Sequence, residues 1–574
     1  MKPIISLISI FILLLVISCT TDFLDYTPRA TISTEQLNTP ERVDQLVTAA
    51  YASLGNDDRE VEFTHMWAFG TLRAGDAYKG GGGVTNRTEW HEFETFSTLR
   101  VDNNYMNVTW IAIYEGISRA NEALLRMAQL TDAQYPNKSI RQAECRFIRG
   151  HFHFLLKQIF KYSVWVDETI PKYESKKLTN REYTNDQLWD KIAEDFQFAV
   201  DNLPETQPEI GRANKVAAWA YLAKVRLYQA YEQDEQNNVV KINTSKLQEV
   251  VRLCDNVIGS KYKLFDEFGK NFLWEYENGV ESIFSIQYSV DDGVEYGRTN
   301  RSTWMNFPMN PEYGCCWFSV PTQNLVNSFK TDANGLPLFD TYNNTEMKNP
   351  EDFLTNNVDP RLDHTVGIPT HPYKYLPDFI YKLSWARVPE VYGTFSTMKE
   401  VDKPTCPCLK KRGAYVGSSK NVDILRFDDV LLMKAEALIE QGLEKQALPI
   451  INQIRERARN STNWLKNANG TFISNYKIGQ YIDGVNCTWS QEFARKALRW
   501  ERKLEFAMEG YRFFDLVRWG IAAETLNAYF DVEKTRHTHL SAARFTKGRD
   551  EYMPIPLTQI TLVEGIYTQN NGWQ

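Results

Sequence analysis

The chain has 574 residues, a formal net charge of −8 and 24% charged residues. That balance lacks the clustered Lys/Arg surface a nucleic-acid binder needs and offers little to anionic lipid headgroups. Its 15 Trp, 29 Tyr and 31 Phe are enough to fill a large core and leave rings over for stacking.

The first segment is short and greasy. Lys2 precedes an apolar run, Ile4 to Ile17, broken only by Ser6 and Ser9. The run is too short to span a bilayer and has the length of a signal-peptide core. Val16-Ile17-Ser18-Cys19 reads as a lipobox. Residues 1–18 are therefore expected to be a lipoprotein signal peptide, cleaved before Cys19, which takes the lipid. Each buried methylene contributes ~0.8 kcal/mol, so several acyl chains anchor durably. No later apolar run reaches the ~18 residues of a membrane span.

Residues 19–39 read as an extended tether. A helix is expected over 40–54, with Thr39 as cap, Pro40 in the first turn and Val43, Leu46, Val47, Ala50 and Leu54 at helical period. Residues 55–107 look irregular, with a glycine run at Gly80 to Gly83 that lacks the Lys-Ser/Thr of a phosphate loop and reads as a flexible surface turn. Helices follow over 108–130, 138–161, 185–202, 212–231 and about 245–259. Together 40–259 form an N-terminal half of helix pairs, tetratricopeptide-like without a clean 34-residue repeat. Residues 260–425 are rich in Gly, Pro, Asn and Tyr and read as a large loop-rich insertion. Residues 426–574 are helical again: one stripe runs through Val430 to Ile439, a second through Ala447 to Ala458 with Pro449 marking a late start or a kink, and a third from Phe493 to Ala507. The expectation is one mainly α domain: a helix-pair scaffold carrying an irregular insertion.

The eight cysteines, less Cys19, leave an odd number. Cys315-Cys316 and Cys406-Pro-Cys408 are close pairs but match no zinc spacing, and Cys145 and Cys254 suit buried thiols equally well. His151 and His153 lie two apart on an apolar helix and read as satisfied core histidines. There is no Gly-x-Ser-x-Gly elbow and no His-Glu-x-x-His helix. No pattern nominates a cofactor; a bound calcium is left open.

Several stretches then become specific together. Cys19 to Pro28 resembles the mature start of SusD/RagB lipoproteins of Bacteroidetes. Trp110-x3-Tyr114-x2-Ile117-x2-Ala120-Asn121 is similar to that family's first long helix, and Ala143 to Phe154 to its Ala-Glu-x-x-Phe-x-Arg helix. Asp359-Pro-Arg-Leu362, Arg426 to Ala437, Ile451 to Ala458, Glu501 to Trp519 and Tyr552 to Pro556 follow in the family's order. The resemblance implies a non-enzymatic, outer-membrane, surface-facing lipoprotein. It implies binding of nutrient glycans and delivery to a partner TonB-dependent (SusC-like) transporter. Members of the RagB branch bind peptides, which remains the alternative ligand; a secreted glycoside hydrolase is the reading from a different class. The charges recurring through Glu501 to Arg518, with Asn121 and Arg149, read as buried ties between helices rather than a catalytic carboxylate pair.

A sugar site wants exposed aromatic faces rimmed by planar polar groups, on loops held by a rigid frame. Two stretches qualify: His65 to Asn104 and Tyr288 to Phe318. Trp90, Tyr296, Trp304 and Trp317 are the candidate ligand-binding residues, each with the alternative of a packed loop anchor.

Overall fold

The computed structural model describes residues 37–55, 64–171 and 173–573. The signal peptide, Cys19 and most of the tether lie outside the described residues.

Helix α1 (Pro40–Ala52) begins where its cap is: the Thr39 hydroxyl accepts from the Arg42 amide at 3.4 Å. Helix α2 (Thr88–Thr95) is short and lies in the stretch expected to be irregular. Then come α3 (Asn104–Met127), α4 (Lys138–Phe160), α5 (Asn185–Asn202), α6 (Lys215–Ala230) and α7 (Thr244–Ile258). From α3 to α7 each helix packs on the next, and α1 adds to α3, so helix pairs stack in series. Helix α5 opens on a capping box, Thr184 with Gln187. Gly116 permits close approach of α3 and α4, since a Cβ there would stand 2.2 Å from the Phe152 ring. Arg149 ties three elements: its guanidinium donates to Asp195 at 2.7 and 2.8 Å and to Asn121 at 3.0 Å, and pairs with Glu168. Both histidines of α4 are buried. His151 meets the Tyr221 hydroxyl at 2.8 Å, His153 stacks on Trp165 at 4.1 Å, and burial lowers both to about 3.

The stack does not end at α7. Helix α8 (Phe427–Glu440) packs directly on α7 and continues it, followed by α9 (Glu444–Asn460), α10 (Gln491–Glu505), α11 (Arg512–Arg518) and α12 (Ala522–Glu533). Pro449 lies inside α9, which starts at Glu444; it forgoes one ladder hydrogen bond and does not delay the helix. The insertion thus leaves and returns at one edge of the helical frame. The strands are short; among them β1 (Ala77–Gly80), β2 (Ser282–Ile286), β3 (Phe318–Pro321), β4 (Leu409–Arg412), β5 (Tyr415–Ser418) and β6 (Val422–Arg426) pair antiparallel as β1–β3, β2–β6 and β4–β5. Cys315 is joined to Cys316 and Cys406 to Cys408, while Cys145 and Cys254 are buried free thiols.

A buried ion lattice joins insertion and frame. Arg361 is fully buried and contacts Asp359 at 2.7 Å, Glu501 at 2.7 Å and Glu505 at 2.8 Å. Arg455 takes the other oxygen of Glu501 at 3.0 Å. Arg457 bridges Glu281 at 3.1 Å and Glu505. Arg426 holds Asp428 at 2.7 Å and Glu509, which Lys399 also reaches at 2.7 Å. A neighbouring set joins Lys224 and Arg502 to Asp429, Arg502 and Arg518 to Asp515, and Arg518 to Glu436. The first set has six carboxylates (Asp359, Glu281, Asp428, Glu501, Glu505, Glu509) against five cations, an excess of one negative charge. A proton supplies the difference: burial pushes Glu505 up to about 7 against the pull of Arg457 and Arg361, and Glu505 shares a hydrogen bond with Asp428.

Removing one partner leaves an uncompensated buried charge. Arg361→Met is expected to lower unfolding stability by about 3–5 kcal/mol in a urea titration. Because the Glu505 carboxyl stands above its ordinary 4.5 in the fold, the folded chain holds a proton the unfolded chain releases. Its contribution to stability therefore falls as pH rises from about 4.5 to about 7, and Glu505→Gln is expected to flatten that part of the stability profile.

Candidate functional site

The two stretches nominated from sequence meet. Strand β1 lies against β3, with Tyr78 opposite Val320 and Gly80 opposite Phe318. After β1 the chain turns at Gly80 and Gly81, both at positive φ, and a Cβ on Gly80 would stand 2.3 Å from the Trp317 carbonyl oxygen. These two glycines are buried, so the run is a surface turn only from Gly82 onward. The turn wraps an ammonium: Lys79 Nζ donates to the carbonyls of Gly80, Gly83 and Asn86 at 3.2, 2.8 and 2.6 Å. Burial lowers this lysine to about 8, opposed by Glu94.

The four aromatic candidates part company here. Trp90, on α2, is 1% exposed and packs edge-on against Trp67 at 4.9 Å and Phe318 at 5.1 Å. Trp317 is fully buried, and its indole N–H donates to the Phe395 carbonyl at 3.0 Å. The expectation of an exposed platform is corrected at these two positions: both are anchors beneath the loops, because their rings bury more apolar area there than a ligand face would. Trp304 is buried as well, 9% exposed, with Tyr415 stacked on its face at 4.5 Å and 27°, so the exposed-platform expectation is corrected there too and Trp304 backs the Tyr415 ring. Its indole N–H, although buried, has no hydrogen-bond partner. Arg301 lies 5.8 Å from its ring. Tyr296 is half-buried, with the Arg412 guanidinium 4.8 Å from its ring.

Tyr415 and Arg412 were not nominated from sequence. Both stand on the β4–β5 hairpin, directly opposite each other across Gly413 and Ala414. Gly413 has φ +61°, as a two-residue hairpin turn asks of its first position; Arg-Gly-Ala-Tyr was the signal available. The hairpin is positioned at three points. Cys406–Cys408 clips its root, the Asn300 amide donates to Ser418 O at 2.8 Å, and Gly314 lies under its tip. The result is a loop face on which Tyr296, Trp304, Arg412 and Tyr415 come together, with Arg298 exposed nearby.

Beneath this face Glu400 accepts from Asn306 Nδ2 at 2.8 Å and lies 3.7 Å from His65. Burial pushes Glu400 up to about 8 and His65 down to about 4, so both are largely uncharged near neutral pH. Neither metal-like cluster among the described residues suits a cation. Glu281, Asp428 and Glu505 already bind arginines, and the Cys406 and Cys408 sulfurs beside Asp402 are spent in a disulfide.

Comparison with known proteins matches residues 280–573 to the SusD family model and residues 22–227 to a second model, described as starch-binding associating with outer membrane. The chain belongs to the SusD family. It is 25% identical over 522 residues to SusD-like protein P38 of Formosa agariphila, covering 88% of each chain. It is 23% identical over 523 residues to a SusD-like protein of Bacteroides ovatus, covering 88% of this chain and 80% of that one. Among solved structures, a SusD-like protein from Bacteroides fragilis superposes with a TM-score of 0.69 at 19% identity, over 96% of this chain and all of that one. Surface glycan-binding protein A from Bacteroides thetaiotaomicron, in complex with laminarihexaose, gives 0.63 at 19% identity, over 93% and 100%. These two establish the shared fold.

The geometry separates platform from anchor experimentally. Trp90→Ala or Trp317→Ala is expected to cost about 3–5 kcal/mol of stability. Tyr415→Ala should leave the unfolding midpoint nearly unchanged while weakening ligand retention in affinity electrophoresis.

Proposed function

We propose that this SusD-family chain is a non-catalytic, lipid-anchored receptor at the outer surface of the outer membrane that binds nutrient glycans on its loop face and passes them to a TonB-dependent, SusC-like transporter. The observation that carries the ligand class is the Trp304–Tyr415 stack beside the Arg412–Tyr296 pair, on loops pinned to a rigid helical frame. Rings take the C–H faces of sugars, and guanidiniums take their hydroxyl or acidic edges. The starch-binding description of the second matching model and the laminarihexaose complex of a structural neighbour support the same class. The matched carboxylates Glu501 and Glu505 are fully buried among arginines, which speaks against their use in hydrolysis. The reading needs no cofactor. Lipid attachment at Cys19 places the receptor at the membrane, and the family's association with the outer membrane supports that placement.

The test is affinity gel electrophoresis of the chain from residue 20 onward against a polysaccharide panel, with a reducing-sugar assay on the same mixtures. Retardation by one or a few glycans without sugar release is expected. Binding to a peptide library with no glycan retarded would move the ligand class to peptides, and sugar release would overturn the receptor reading. Cys19→Ala in the full chain is expected to abolish acyl labelling and move the protein out of the membrane fraction; unchanged membrane retention would refute the anchor.

A further inference from the structure

A second cavity lies away from the loop face, where the helical frame meets the insertion. Its water-accessible volume is about 100 Å³, room for several waters or one small polar ligand. Helices α4 and α6 form one wall, strand β6 another, and residues Glu509 to Phe514 a third. The rings of Tyr228, Tyr511, Phe272 and Phe514 face it.

Its polar groups are unevenly satisfied. Lys224 is spent on Asp429 at 3.2 Å, and Lys399 and Arg426 both hold Glu509. Asp423 accepts from the Ser282 and Ser285 hydroxyls, each at 2.5 Å. Lys420 is different. Its backbone N–H donates to Ser418 Oγ at 3.1 Å, but its ammonium has no hydrogen bond or ion pair among the described residues. Lys420 stands at a junction: it lines this cavity, a small crevice shared with Asn271, Asn421 and Asp423, and another beneath the loop face. Beside it the Asn271 side-chain N–H₂ is buried without a partner. The buried Asn271 amide calls for an acceptor from outside, and the half-buried Lys420 ammonium beside it, committed to no carboxylate, stands ready to meet a charged one. Burial raises nearby Glu277 to about 7 and Glu400 to about 8, so near neutral pH neither places a full negative charge against an incoming anion.

We propose that this cavity is a second carbohydrate site, taking a single acidic sugar unit, a uronate. Its carboxylate meets Lys420, its hydroxyls meet Asn271 and Asp423, and its C–H face lies against the tyrosine rings. A bare inorganic anion would use Lys420 and leave the rings and Asn271 idle; a neutral sugar would leave Lys420 unpaired. The proposal rests on the glycan-receptor reading and extends it to the class of sugar.

The test is isothermal titration of the chain from residue 20 onward with glucuronate and galacturonate, with glucose and inorganic sulfate as comparators. Saturable 1:1 binding of a uronate is expected, with glucose and sulfate weaker by about tenfold or more. Lys420→Met and Asn271→Ala should each weaken the uronate by on the order of tenfold with the unfolding midpoint preserved. Tyr415→Ala should leave uronate binding unchanged while losing polysaccharide retention. Uronate binding that Lys420→Met does not weaken, or sulfate or glucose binding as tightly as the uronate, would overturn the proposal. No uronate binding by a chain that still retains polysaccharide would overturn the proposal alone; loss of both would remove the receptor reading with it.

Discussion

The arginine–carboxylate lattice at the junction of insertion and frame is the constraint on which the rest of the structure depends. Its members come from segments far apart in the chain: Glu281 before the insertion's first strand, Asp359 and Arg361 in its middle, Arg426 and Asp428 at its return, Arg455 and Arg457 on α9, and Glu501, Glu505 and Glu509 beyond them. Isolated buried ions cost several kcal/mol each, so no segment can bury its charges until the others arrive. Apolar packing alone tolerates sliding, whereas bidentate guanidinium contacts have one geometry. The long, strand-poor insertion is thereby held to one placement on the helices.

That placement creates the loop face. The β1–β3 pairing brings the glycine turn to the Trp317 loop, and the β4–β5 hairpin closes over Trp304. Trp90 and Trp317 serve as buried ballast and Trp304 backs Tyr415, leaving Tyr296, Arg412 and Tyr415 to meet a ligand. The protein thus separates two uses of aromatic residues that look alike in a list: anchors that hold the loops, and rings that the held loops present.

Much of the frame was legible in the sequence because helices announce themselves locally. The helical period of 185–202 located α5 at both ends, and 245–259 missed α7 by one residue at either end. The ion pairs were legible in kind, from charges at helical spacing, but not in partnership: Arg361 lies 144 positions from Glu505, and no local rule joins them. The site was half legible. Its two stretches were found by composition, yet an aromatic residue on a loop reads the same whether it is buried or exposed; only the tertiary placement told Trp90 from Tyr296. The hairpin was not legible for a related reason: Tyr415 lies outside both aromatic-rich stretches, at an ordinary-looking two-residue turn.

The central claim is that the ligand is met by the loop face, not by the helical frame. Hydrogen–deuterium exchange with and without a retained oligosaccharide tests it most directly. With an oligosaccharide that carries no uronate, the account predicts new protection across 296–304 and 409–418, with α3 to α7 unchanged; protection confined to those helices, with the loop segments exchanging as before, would contradict it.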